Sequence, residues 1–379
     1  MNRYRWLALP WLALLVVVAA ALAPAARAAE ALDPKTADDA KGVLFFDAKA
    51  IGIEGQAWAE TKAPYDRLPA KAEGVVRPPV WNLSRDSAGM AVRFVTDAPA
   101  IHCRWALTKA SLAMPHMAAT GVSGVDLYVR TEQGNWHWLA VGKPTAQANT
   151  AALVSNIPAG KREYLLYFPL YNGVTKVEVG VPKGSTLWKP DPRPEAKRKP
   201  IVFYGTSITH GACASRPGMC HPAIVGRRFD RPVVNLGFSG NGTMDPEFAQ
   251  LLSEIDAAVY VIDCLPNMGA KDVAAKAEPL VRALRKLKPE TPILLVEDRT
   301  YGDAFLIKTK DERSLAARAE LKKAFDKLTG EGMKGLLYLE GTKLLGADGD
   351  DTVDSSHPSD LGFYRQADAI EAVLKTVLK

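Results

Sequence analysis

Five short apolar runs alternate with helical stretches from Ile201 to the end of the chain. That alternation constrains the fold more than any other feature of the sequence. The runs are Ile201 to Tyr204, Pro232 to Leu236, Ala257 to Asp263, Pro292 to Val296 and Leu336 to Leu339. Each is nearly continuous in apolar residues, as a strand covered on both faces must be. Between them Pro246 to Ile255, Val273 to Leu287 and Glu312 to Thr329 suit helices, the first with Pro at its opening turn and the last stopped by Gly330. Leu361 to Leu378 suits a closing helix. The pattern predicts parallel strands joined by crossover helices: a three-layer α/β/α, flavodoxin-like domain over residues 201–379.

The earlier half has a different texture. Val43 to Phe46, Met90 to Val95, Val125 to Val129, Trp136 to Val141, Glu163 to Phe168 and Val174 to Val181 are short runs rich in β-branched and aromatic residues. Gly134-Asn135 and Asn172-Gly173 supply turns. Many short strands at this spacing predict an antiparallel β-sandwich, jelly-roll-like, over residues 30–188. Residues 189–200 hold four prolines, which fix φ and remove donors, so this segment reads as a stiff extended linker. The six tryptophans beyond the leader, Trp58, Trp81, Trp105, Trp136, Trp138 and Trp188, all precede it. They suit either core packing or flat platforms for sugar rings.

Residues 1–28 read as a secretory signal peptide. Arg3 and Arg5 precede an apolar stretch from Leu7 to Ala23, and small residues surround Arg27. An uncleaved membrane anchor is the competing reading, disfavoured by Pro10, Pro24 and the alanine-rich end. Secretion or a bacterial periplasmic address follows, with no membrane attachment once the leader is cut. Arg3, Arg5 and Arg27 account for half of the formal net charge of +6, and residues 189–200 carry five basic and two acidic groups. The remaining chain is close to neutral, which argues against a nucleic-acid partner. Cys103, Cys213, Cys220 and Cys264 permit disulfides in an oxidising compartment. Two bridges that would brace the first loop of the parallel sheet, 213–264 and 213–220, compete with buried free thiols. No Cys/His spacing predicts a metal site, and no cofactor is expected.

The first apolar run ends in Gly205-Thr206-Ser207, where the chain turns from a strand into a helix. Open α/β sheets place their ligand crevice at that edge, and a helix amino terminus offers free N–H groups to an anion. Ser207 is therefore a candidate nucleophile, with a simple helix N-cap as the alternative role. Asp354 stands three residues before His357. That spacing lets a carboxylate hold one ring nitrogen while the other takes a proton from a serine. Acyl transfer also needs donors for a tetrahedral oxyanion. The Ser207 N–H, the glycines around Gly240 after the second strand, and the Asn267 amide after the third all fall at the same sheet edge.

Gly205-Thr206-Ser207, Gly240, Asn267 and Asp354-x-x-His357 together resemble the four ordered blocks of the SGNH/GDSL hydrolase superfamily. The resemblance implies Ser207, His357 and Asp354 as catalytic residues, and Ser207 N–H, Gly240 N–H and Asn267 as the oxyanion hole. Thr206 departs from the Asp that the family usually carries before its serine. Residues 213–219 and 296–301, with residues 114–124 of the earlier half, are similar to a secreted bacterial branch with an N-terminal β-sandwich, a carbohydrate-esterase-like group. The expectation is a secreted serine esterase that removes small acyl groups, above all acetyl, from a small-molecule or polysaccharide ester. A lipase or thioesterase, or a non-catalytic glycan-binding protein, are the alternatives. Arg299, Tyr301 and His116 are expected to contact substrate, while His210, one helical turn from Ser207, is expected to point away.

Overall fold

The computed structural model describes residues 30–378. The expected leader lies outside the described residues. Three sheets make up the architecture. The first is antiparallel, in the spatial order Asp38–Ala40, Val43–Asp47, Val174–Pro182, Ile101–Leu107, Ala148–Val154. The second runs Leu187–Trp188, Ala91–Thr96, Arg162–Tyr167, Val125–Arg130, Trp136–Gly142, with Ile53–Glu54 beside Ala91–Thr96. Ile101–Leu107 and Ala148–Val154 were not anticipated from the sequence, because their polar residues interrupt the apolar signal.

The third sheet is parallel and consists of β1 (Ile201–Gly205), β2 (Val233–Gly237), β3 (Val259–Asp263), β4 (Ile293–Val296) and β5 (Leu336–Leu339). Its order is β2-β1-β3-β4-β5, so the strand order reverses beside β1. Around it lie α1 (Ser207–His210), α2 (His221–Phe229), α3 (Glu247–Ser253), α4 (Ala270–Leu287), α5 (Lys308–Gly330) and α6 (Asp360–Leu374). Helix α2 escapes a reading by hydrophobic period, since Pro222, Gly226 and two arginines blur it. Asp230 ends it in a left-handed conformation.

Strand alternation distributes the core. Val202 and Tyr204 join one apolar cluster with α3, α4 and α5, while Ile201 and Phe203 join another with α2 and α6. The second antiparallel sheet is covered on both faces as well. Val125, Leu127, Tyr164 and Leu166 face the first sheet, and Tyr128, Leu165 and Tyr167 face the parallel half. That double burial explains why residues 164–168 are apolar without a break.

The segment 189–200, read as a stiff extended linker, is fastened along its length. Glu195–Lys197 forms a 3₁₀ turn, and Arg193 is buried, with Nη1 2.5 Å from Glu54 Oε1. Its charge binds the segment to the body of the protein. All four cysteines are free thiols. Cys103, Cys220 and Cys264 are buried in three different clusters, Cys213 packs against the cluster of Cys220, and neither the 213–264 nor the 213–220 bridge is formed.

Candidate active site

Strand β1 ends in Gly205, and Thr206 caps the short helix α1, its Oγ1 accepting from the Ile208 N–H at 3.3 Å. Capping therefore falls to Thr206, and Ser207 takes the first helical position. At that position the serine N–H has no place in the intrahelical ladder. Gly242 comes so close to β1 that a Cβ there would lie 2.0 Å from Gly205 O, so only glycine fits. Gly240 is exposed, with a φ of +69°, a conformation that glycine adopts without strain.

The loop before α6 brings the second part. Asp354 Oδ1 accepts from the N–H groups of Ser356, at 3.2 Å, and His357, at 2.7 Å. Asp354 Oδ2 lies 2.8 Å from His357 Nδ1, and His357 Nε2 lies 2.9 Å from Ser207 Oγ. Ser207, His357 and Asp354 thus form a continuous chain across 150 residues of sequence. Burial pushes the Asp354 carboxyl up, but the hydrogen bonds from His357 and Ser356 outweigh it and hold the group below the usual carboxylate range. A carboxylate in that state accepts from Nδ1–H and leaves the Nε2 lone pair facing the serine hydroxyl.

Asn267 ends a 3₁₀ turn after β3. Its Oδ1 accepts from the Gly242 N–H at 3.3 Å, an arrangement that engages the amide oxygen and leaves the NH₂ free to donate. The same contact ties the Asn267 turn to the glycine loop after β2.

Of the three expected substrate contacts, one stands beside the triad, one sits next to a residue bonded to the triad loop, and one is buried elsewhere. His116 is exposed, and its ring centroid is 5.9 Å from that of His357. Tyr301 precedes Gly302, whose N–H donates to Ser355 O at 2.8 Å, and the Tyr301 hydroxyl accepts from Arg313 Nη1 at 2.9 Å. Arg299 is a correction. It is 2% exposed, and its Nη2 donates to Asp263, at 3.1 and 3.2 Å, and to Gln366 Oε1 at 3.1 Å. A guanidinium at the end of β4 must find acceptors inside, and Asp263 supplies them. Asp263 also accepts from Thr209 Oγ1 at 3.0 Å, so this ion pair braces the helix that carries Ser207.

Sequence reasoning missed the support from the earlier half. The Tyr171 hydroxyl donates to Ser207 O at 3.1 Å, and its ring stacks on His210 at 4.0 Å. His210 Nε2 lies 2.7 Å from Leu170 O, and burial, with Arg67 nearby, drives its basicity well below the usual range. His210 is thus a neutral packing residue that points away from the triad. Arg67 is fully buried and donates to the carbonyls of Leu83, Asp86, Asn235 and Gly237, which fixes the end of β2. No local pattern marks Arg67 or Tyr171, because both roles depend on partners far away in sequence. Among the described residues, no helix is long and apolar enough to cross a membrane.

Comparison with known proteins adds the ancestry. The pattern of the GDSL-like lipase/acylhydrolase family matches residues 198–375, and that of the N-terminus of SGNH-hydrolase-type esterases matches residues 43–187. A Bacteroides ovatus protein described as a GDSL-like lipase is 30% identical, over 89% of this chain and 98% of its own, with a TM-score of 0.83. The salicylyl-acyltransferase SsfX3 from a tetracycline biosynthetic pathway shares the fold at 20% identity and a TM-score of 0.69, over 93% and 98% of the two chains. A family two carbohydrate esterase from Clostridium thermocellum, solved with cellohexaose, shares it at 17% identity and a TM-score of 0.53, over 76% and 92%. No curated protein matches the chain.

Proposed function

The chain belongs to the GDSL-like lipase/acylhydrolase family of ester-hydrolysing enzymes, and from that premise we propose a serine esterase that releases small acyl groups, above all acetyl, from carbohydrate. The observation that carries the mechanism is the pair of contacts at 2.9 Å from Ser207 Oγ to His357 Nε2 and 2.8 Å from His357 Nδ1 to Asp354. Ser207 Oγ attacks the ester carbonyl while His357 Nε2 takes its proton. The carbonyl π electrons move onto oxygen, and the Ser207 N–H, the Gly240 N–H and the Asn267 amide hold that charge. As the tetrahedral intermediate collapses, the alcohol leaves with the proton from His357. Water then attacks the acyl-serine, gives a proton to His357, and the acid departs as the serine is reprotonated. Asp354 stays ionised and stabilises the imidazolium.

Two observations support the substrate class. A structural neighbour is a carbohydrate esterase, and the His116 ring stands beside the base, 5.9 Å from that of His357 between centroids, where it would favour a small acyl group. Export through the leader in residues 1–28 is part of the same reading, since polymeric sugar esters lie outside the cell. A second reading has one observation behind it. Phe305, Leu306 and Ile307 are exposed, at 79%, 70% and 41%, on the segment joined to the triad loop through Gly302. Such a patch suits a longer acyl chain or an apolar alcohol.

Acetate release from acetylated xylan, mannan and pectin, together with p-nitrophenyl esters of rising chain length, separates the two. The first reading expects acetate release and a rate that falls with chain length; a rate that rises with length favours the second. Ser207→Ala and His357→Ala should each lower turnover by about 10⁴-fold or more with the fold intact. Unchanged turnover in either variant overturns the mechanism.

A further inference from the structure

His116, Cys213 and His357 come from three distant segments: a loop of the antiparallel half, the turn after α1, and the loop before α6. One donor atom from each lies within 4.8 Å of the others. None of the three is fully buried. Cys213 is also a non-glycine residue held at φ +70°, in the left-handed region that residues with a Cβ avoid. The reaction described above has no use for that thiol.

Two imidazoles and one thiol form the donor set that borderline-soft divalent cations take, and that calcium and magnesium refuse. The support around the set is already in place. Asp354 holds His357 Nδ1 at 2.8 Å, the carboxylate–histidine arrangement that orients a metal-binding imidazole. The lone pair left on His357 is then the Nε2 pair that faces Ser207 Oγ at 2.9 Å. A cation that takes this pair removes the base from the serine.

We propose that His116, Cys213 and His357 form an inhibitory site for a zinc-class divalent cation, so that metal binding and ester hydrolysis exclude each other. The inference rests on His357 being the general base. On binding, Cys213 Sγ releases its proton to solvent and coordinates as thiolate, while the two histidines coordinate through neutral nitrogens. No bond of the protein breaks and no electron is transferred, so a chelator reverses the step. The turnover of the enzyme would thus fall as the free zinc concentration rises.

The test uses the full-length protein after chelator treatment. Zn²⁺ is expected to inhibit p-nitrophenyl acetate hydrolysis, EDTA to restore it, and Mg²⁺ and Ca²⁺ to leave it unchanged. Cys213→Ser and His116→Ala, each compared with its own metal-free rate, should raise the half-inhibitory Zn²⁺ concentration by at least about tenfold, the lower end of what losing even an outer partner costs. Half-inhibitory concentrations equal to that of the unmodified enzyme overturn the proposal, as does activation by Zn²⁺. Ser207→Ala keeps all three donors, and with Co²⁺ it should show a thiolate-to-cobalt charge-transfer band that Cys213→Ser abolishes. An active enzyme whose Ser207→Ala variant lacks that band refutes the metal site alone. A band in a protein with no esterase activity leaves the metal site standing and refutes the proposed function.

Discussion

The parallel-sheet half presents Ser207 at the first position of α1 and Gly240, Asn267, Asp354 and His357 on turns or loops that follow strands or precede α6. The antiparallel half meets these turns differently. Its contribution comes from Arg67, His116 and Tyr171, which sit between strands and reach across to backbone carbonyls or to the base. The first half carries the proposed reactive atoms on the turns of a parallel sheet, and the second clamps those turns. The chemistry can therefore be written from one half, while its precision depends on both.

Arg67→Ala tests the clamp most severely. It takes a donor from the buried carbonyls of Asp86, Asn235 and Gly237, and removing one side of a buried charged network costs about 3–5 kcal/mol. Chemical denaturation should show that loss; a variant as stable as the parent would mean that the antiparallel half does not clamp β2. Asn267→Ala addresses the reactive half. Loss of one oxyanion donor should lower kcat by about 10²–10³ with little change in KM and an unaltered circular dichroism spectrum. A loss below threefold would move the oxyanion hole elsewhere.

Tyr171→Phe probes the contact between the halves. It deletes one neutral hydrogen bond to Ser207 O, worth about 0.5–1.5 kcal/mol, so kcat should fall by about tenfold at most. The loss should appear in kcat rather than KM, because Tyr171 holds the nucleophile's turn and not the substrate. An effect on KM alone would make it a substrate contact.

A separate effect concerns pH and stability rather than turnover. His221 is buried between Phe203 and Phe363, and burial, with Arg299 nearby, drives its basicity well below the usual range. Below about pH 6.5 the unfolded chain protonates this histidine while the native state does not, so stability falls as pH drops. His221→Phe should flatten the stability curve between pH 7 and 5 by up to about 1.4 kcal/mol per pH unit. An unchanged slope would mean that His221 takes up its proton in the folded state.

Much of the reactive half was legible in the sequence because its signals are local. A strand buried on both faces reads as continuous apolar residues, as in Ile201 to Tyr204, and Asp354 reaches His357 within a single turn of chain. The clamp was not legible. The burial of Arg67 and Arg299 is decided by acceptors 168 and 36 residues away, and no spacing rule records that. The same cause hides the anchoring of residues 189–200. Their prolines are visible, but the Glu54 carboxylate that anchors Arg193 is 139 residues away. The tryptophans divide likewise. Trp105 is buried in the sandwich and donates to Ser123 O at 3.0 Å, whereas Trp138 is 50% exposed beside Arg216, and only position in the fold distinguishes them.

The central claim is that Ser207 becomes the acylated residue because His357 activates it. Intact mass and peptide mapping after reaction with a fluorophosphonate read this out directly. One adduct per chain, located on Ser207 and absent from the His357→Ala variant, is the predicted result. An adduct on another residue, or labelling of Ser207 at the same rate without His357, contradicts it.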